Sequence, residues 1–331
     1  MEDQLTPRQT RFWSGAYFVI IIALVGGFIL ATSQITYNWR WSVVPSYFLI
    51  HETVEIRAEI DGDVTSIKQT DQQTTIALTA ADGSSESYVV PKGDILVSEM
   101  DMIFSGDALG SYKEWQAGLL LLGMITTVKV SIYAIVIGIL LGIWGGVARI
   151  SANPASRWLA YTYVELIRGT PLLVQIFIWY YIGSTLMNQL LAQSIGFEIP
   201  ALWYGVIALA TFTGAYVTEI VRSGIQSINL GQTEAARSLG MSHFQSLRYI
   251  IMPQAMRRIL PPLAGQFISL IKDSSLLGII AVRELTKATR EAVTTSFASF
   301  ELFFTCAALY LVITFTLSLF VQYLEKRMGT T

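Results

Sequence analysis

The chain has 331 residues, of which 53% are hydrophobic and only 14% charged, with a mean hydropathy of +0.51. Soluble domains carry about 25% charged residues, so this composition excludes a disordered, fibrous or disulfide-stapled chain and points to the membrane. The net charge of −2 hides an asymmetry: Ile50 to Glu114 holds 13 acids and 4 bases, the remainder 11 acids and 18 bases, with no basic nucleic-acid-binding surface.

From the N-terminus, Phe12 to Trp39 contains no charge over 28 residues. A bilayer-spanning helix takes about 20 mostly apolar residues, and the apolar run of a cleaved signal peptide only about 7–15. Residues 1–40 are therefore read as a tail and a first transmembrane helix. Residues 41–114 follow as an acidic β-rich domain. Val54, Ile56, Ala58 and Ile60 alternate with polar residues, and Asp61-Gly62 and Asp82-Gly83 supply turns. The pattern predicts a small barrel or sandwich of about five strands over roughly residues 50–105, with too few large apolar residues to stand without a packing partner.

Residues 115–331 carry five further expected spans: Trp115–Ala148, Tyr161–Leu191, Ile199–Val221, Ile259–Val282 and Leu302–Leu324. The fold class is an all-α polytopic membrane protein with a small external β domain. Suppose the N-terminus lies inside. Twelve Lys or Arg, from Arg8 to Arg327, then fall in inside segments, and three (Arg283, Lys287 and Arg290) in short outside loops. The positive-inside rule puts both termini in the cytoplasm and the acidic domain outside. Tyr37, Trp39, Trp41 and Trp115 bracket that domain as an aromatic belt.

Catalytic signals are missing. No Gly-Lys dipeptide occurs, so there is no Walker A phosphate loop, and His51-Glu52-Thr53-Val54-Glu55 lacks the second histidine of a zinc-protease helix. The informative stretch is the loop 226–253. Ala236, Leu239, Phe244, Leu247 and Ile250 recur at helical spacing, Gly240 breaks one short helix from the next, and Pro253 suits the first turn of another. Two readings stay open from these residues. One is an amphipathic helix on the membrane surface. The other is a protruding helix whose small Ala235-Ala236 face enters a partner's groove, with Glu234 offered to a partner base.

Charges inside the spans are costly, so Lys129, Lys272 and Asp273 should face the bundle interior, water or each other. Either they are structural, or with Ser274 and Ser275 they meet the ammonium and carboxylate of a zwitterion. Glu219 and Arg222, three residues apart, are expected to pair. Arg168-Gly169-Thr170-Pro171 is expected to break the third helix.

The loop resembles the Glu-Ala-Ala, three residues, Gly, nine residues, Ile-x-Leu-Pro signature of permease subunits of ABC importers, with Met252 in place of the family's Leu, a volume-conserving exchange. Glu165-Leu166-Ile167-Arg168-Gly169-Thr170-Pro171, Ala215-Tyr216-Val217-Thr218-Glu219-Ile220-Val221-Arg222 and Lys272-Asp273-Ser274-Ser275-Leu276 resemble the polar amino acid uptake branch, whose members import histidine, arginine, glutamine or glutamate. The resemblance runs from about Trp115 to Arg327 and leaves out the first helix and the acidic segment. It implies the type I importer permease fold, five core helices here preceded by one more, in a bacterial inner membrane. It also implies two ATPase subunits, a second permease subunit (identical or paralogous), a periplasmic amino-acid-binding protein and a polar amino acid as substrate. This chain would bind no cofactor, with ATP and Mg on the ATPase. Gly231, Glu234, Ala235, Ala236, Gly240 and Pro253 would couple to that ATPase. A secondary transporter or channel acting alone is the alternative, and it would not need the organised loop.

Overall fold

The computed structural model describes residues 7–34, 37–195 and 198–327. The first 41 residues form a unit of their own. Its helix α1, Pro7–Ser33, exposes Phe12, Trp13, Tyr17, Phe18, Ile22 and Leu30 around its whole circumference. A helix apolar on every side is suited to lipid rather than to one packed face. Trp39 and Trp41 stack beyond it, with ring centroids 5.8 Å apart.

In the second unit, from Ser42 onward, the acidic segment is a two-sheet domain of seven strands: β1 (Leu49–Arg57), β2 (Gly62–Gln69), β3 (Gln73–Thr79), β4 (Ser85–Pro91), β5 (Asp94–Ile95), β6 (Met102–Ile103) and β7 (Ala108–Ala117). One sheet has the order β1-β7-β5 and the other β4-β3-β2-β6. The expectation of five strands ending near 105 missed β7, because Lys113 and Glu114 read as a polar approach to a span beginning at Trp115. In fact Trp115 pairs with His51 in an antiparallel ladder from Leu49↔Ala117 to Arg57↔Ala108. The domain also has its own core, in which Ile76, Leu78, Val90 and Leu109 are wholly buried. Alternation along β3 places Thr74, Ile76 and Leu78 on one inward face. The ladder leads straight into the helical core, where Gly118 N–H donates to the Phe48 carbonyl at 2.7 Å.

The core contains α2 (Leu119–Arg149), α3 (Pro154–Arg168), α4 (Leu172–Phe177), α5 (Ser184–Ile195), α6 (Ala201–Gln226), α7 (Leu230–Ser238), α8 (His243–Ser246), α9 (Met252–Asp273), α10 (Leu285–Ser296) and α11 (Ser299–Arg327). Helices α2 and α6 run side by side in the same direction. Gly138, Gly142 and Gly146 lie one turn apart on α2; a methyl on Gly142 would overlap Val217, and one on Gly146 would stand 2.5 Å from Val221 Cγ1. Small residues at this spacing let two helices approach closely where lipid removes any hydrophobic drive to associate. Helix α9 returns antiparallel, with Ile259 against Gly224, and Leu277 beyond its end lies against Gly205. Helix α10 packs by Leu285 and Ala288 on Gly123 at the start of α2. The β domain and the α6–α9 connection therefore lie at opposite ends of the core.

Among the described residues, four helical runs are long and apolar enough to cross a membrane: Leu119–Arg149, Ala201–Gln226, His243–Ile280 and Ser299–Tyr323. Three expected spans differ from this. The first is not among the four: within α1 only Phe12–Gly27 qualifies, as a shorter apolar helix. The third, Tyr161–Leu191, is a pair of helices, Pro154–Arg168 and Leu172–Leu191, bent by 104°. The fifth begins at His243 rather than Ile259, because the helix runs on from the loop into the core without a stop.

Candidate functional site

The α6–α9 connection is built by capping groups. Asn229 opens α7 by accepting the Gly231 N–H at 2.8 Å. The helix closes in a Schellman turn. Met241 N–H reaches the Ala236 carbonyl at 3.2 Å, Gly240 N–H reaches that of Arg237 at 3.0 Å, and Gly240 adopts φ +81°. Ser242 then starts α8 with a capping box: its hydroxyl accepts the Gln245 N–H, and the Gln245 side-chain oxygen accepts the Ser242 N–H. A π-helical stretch, Leu247–Ile251, joins α8 to α9, and Pro253 stands where the hydrogen-bond pattern changes from π to α. Arg258 Nη1 donates to the Ser227 carbonyl at 2.6 Å and Gln254 Nε2 to Gln232 Oε1 at 3.2 Å, tying the loop to the first turns of α9.

Glu234 and Ala235 lie on the outer face of α7, but Ala236 is only 3% exposed. The expected Ala235-Ala236 docking face is corrected accordingly. Adjacent helical residues point about 100° apart, so when one faces out the other packs inward. The apolar face offered outward is made instead by Leu239 and Phe244, 84% and 67% exposed, with Leu230 and Tyr249 nearby in sequence. Large apolar side chains held outward by an ordered, capped loop mark a surface for contact with another protein or with the membrane.

The motif at 168–171 makes the expected break. Gly169 ends α3, Thr170 Oγ1 donates to the Leu166 carbonyl at 3.0 Å, and Arg168 lies over the Tyr216 ring. Sequence reasoning missed the residue that repairs the break. Gln175 is buried, and its Nε2 reaches the Ile167 carbonyl at 2.7 Å and Thr170 Oγ1 at 2.9 Å. Backbone groups freed by Gly and Pro inside a membrane need such a partner; a glutamine in an apolar run was the available signal.

Glu219 and Arg222 pair as expected, at 2.7 Å. The structure adds Arg149, from the end of α2, whose Nε donates to the other carboxylate oxygen at 3.2 Å. Arg149 also lies over the Tyr161 ring at 4.8 Å. One carboxylate thus pins α2 to α6 and holds two guanidiniums.

The charges within the spans are less assembled. Lys129 and Lys272 are exposed on the surface of the single chain, and Asp273 is half-buried. Among the described residues, Lys272 and Asp273 form no ion pair with each other. Ser274 is wholly buried and its hydroxyl donates to the Ile271 carbonyl at 2.8 Å. It therefore offers no hydroxyl to a solute, which corrects its expected place on a pathway; Ser275 is partly exposed.

Residues 134–330 match a family described as binding-protein-dependent transport system inner membrane component. The chain is 37% identical over 206 residues to a probable glutamine ABC transporter permease, GlnM, of Bacillus subtilis, covering 62% of this chain and 91% of that one. It is 36% identical over 210 residues to the glutamine transport system permease GlnP of Escherichia coli, covering 63% and 93%. Among solved structures, a crystal structure of an amino acid ABC transporter with histidines aligns with a TM-score of 0.56 at 39% identity, over 63% of this chain and 94% of that one. Helix α1 and the β domain precede the family match.

Proposed function

The chain belongs to the family of binding-protein-dependent transport system inner membrane components, and we propose that it serves as the permease subunit of an ABC importer that brings a polar amino acid into the cell. The observation that carries the reading is the capped loop at one end of the core, which holds Glu234, Leu239 and Phe244 exposed on its outer face. Relatives named for glutamine transport support the substrate class. In this reading a separate ATPase, binding its own ATP and Mg, seats on that loop as a pair of subunits. A second permease, identical or paralogous, covers the exposed side of Lys129 and Lys272, which then line a shared pathway with Asp273 and Ser275. The loop and both termini face the cytoplasm, and a solute-binding protein arrives on the side of the β domain, whose strands and flanks carry the acidic surplus.

The test is co-expression with the ATPase, purification of the assembly, and measurement of amino acid uptake by proteoliposomes. Uptake should require ATP and the loaded binding protein. Glu234→Lys should abolish stimulated ATP hydrolysis while the protein still inserts and purifies. Uptake by the permease alone, driven by an ion gradient, would establish a secondary transporter instead.

A further inference from the structure

Next to the loop, the helices enclose a cleft of about 460 Å³ to which the transport reading assigns no occupant. Arg149 at the end of α2, Arg157 in the first turn of α3 and His243 at the start of α8 line it, and among the described residues no carboxylate does. Glu219, behind the lining, is shared between Arg149 and Arg222, which leaves a surplus positive charge even before Arg157 is counted. Arg149 donates its Nε–H to Glu219, and its two Nη groups make no hydrogen bond among the described residues. Arg157 forms no ion pair among them either.

Ser246 is the second observation. It is 1% exposed, lines the same cleft, and its hydroxyl has no hydrogen-bond partner among the described residues. A buried hydroxyl left unpaired is unfavourable. The remaining lining is mostly aliphatic, Ile228 and Leu247 included, with Gln226 and Thr233 as its polar members. Guanidiniums and an unpaired hydroxyl together with a mostly aliphatic lining match an amphiphilic oxyanion better than a free one. Basic pockets between transmembrane helices take anionic lipid headgroups, and the volume falls within the roughly 300–1,000 Å³ of ligand sites.

We propose that this cleft binds the phosphate of an anionic phospholipid, recognised by Arg149, Arg157 and Ser246. Its walls come from α2, α3, α6, α7, α8 and the π stretch, so an occupied cleft ties the partner-facing loop to the membrane-embedded helices. The inference rests on the core lying in a bilayer and not on the solute carried, so a failed uptake assay and a failed lipid assay remain distinguishable.

The test uses the permease assembled with its ATPase in nanodiscs of phosphatidylcholine with graded phosphatidylglycerol. Lipid retained on the complex is read by native mass spectrometry, and binding of radiolabelled inorganic phosphate is measured in discs of phosphatidylcholine alone. Arg157→Gln should need about fivefold more phosphatidylglycerol for equal retention, the share expected of one Arg near the membrane surface, and Arg157→Lys should recover most of it. Ser246→Ala should also lower retention without lowering the melting temperature, since it removes an unpaired hydroxyl. Equal phosphatidylglycerol retention in all four proteins, with no phosphate bound, would overturn the site. Phosphate binding lost in Arg157→Gln, with lipid retention equal throughout, would overturn the lipid as its source.

Discussion

Gly240 offers a test of what orders the α6–α9 loop. Its φ is +81°, and a Cβ built on it meets nothing within 4 Å. Replacement by alanine therefore causes no clash, and the whole cost is backbone: about 1–2 kcal/mol for an L-residue held in the left-handed region. The Schellman turn closed there by the Gly240 and Met241 N–H groups rests on two hydrogen bonds, each worth roughly 1 kcal/mol net. The strain in Gly240→Ala is thus comparable to what holds the turn. Amide hydrogen exchange of a peptide covering residues 236–244 reads the opening equilibrium directly. Protection should fall by about five- to thirty-fold, the ratio that 1–2 kcal/mol produces. Gly240→Asn should fall less, because asparagine visits the left-handed region more readily. Stimulated ATP hydrolysis in the assembled complex should follow the order Gly, Asn, Ala. Protection unchanged in the alanine variant, or an asparagine variant as exposed as the alanine one, would refute the claim that this turn's handedness orders the loop.

Gly142→Ala forces a methyl into Val217 and should cost about 1–3 kcal/mol by overpacking, read as a lower melting temperature in detergent; Gly265→Ala, whose Cβ meets nothing within 4 Å, should not lower it. Adding Val217→Ala to Gly142→Ala should recover part of the loss, and equal shifts for the two glycine variants would count against close α2–α6 packing. Gln175→Leu strands the Ile167 carbonyl that Gln175 satisfies and should cost about 1–3 kcal/mol; an unshifted denaturation midpoint would show that the break needs no such repair. Single cysteines introduced as Thr70→Cys and Ser238→Cys, in a Cys306→Ser background, should react with an impermeant maleimide only from opposite sides of the membrane. Labelling of both from one side would contradict a core that separates the β domain from the loop, and the parent chain should stay unlabelled because Cys306 is buried.

The features legible in the sequence are those set by local chemistry. Mostly apolar runs of span length located most of the long helices, because bilayer thickness converts directly into a residue count. Gly169-Thr170-Pro171 announced the break, and Gly240 the turn, because both act through their own backbone. Glu219 and Arg222 were legible as a pair because they lie within one helical turn. Tertiary structure alone decided which distant groups complete these features. Arg149 reaches Glu219 across 70 positions of sequence, and β7 reads as polar until it is paired with β1. Ala235 and Ala236, alike in sequence, part company because only one of them packs inward. Periodicity reports the face a residue occupies on its own helix, but not what another helix brings to that face. For that reason the loop was visible before the fold, and the Arg149–Arg157–Ser246 cleft beside it was not.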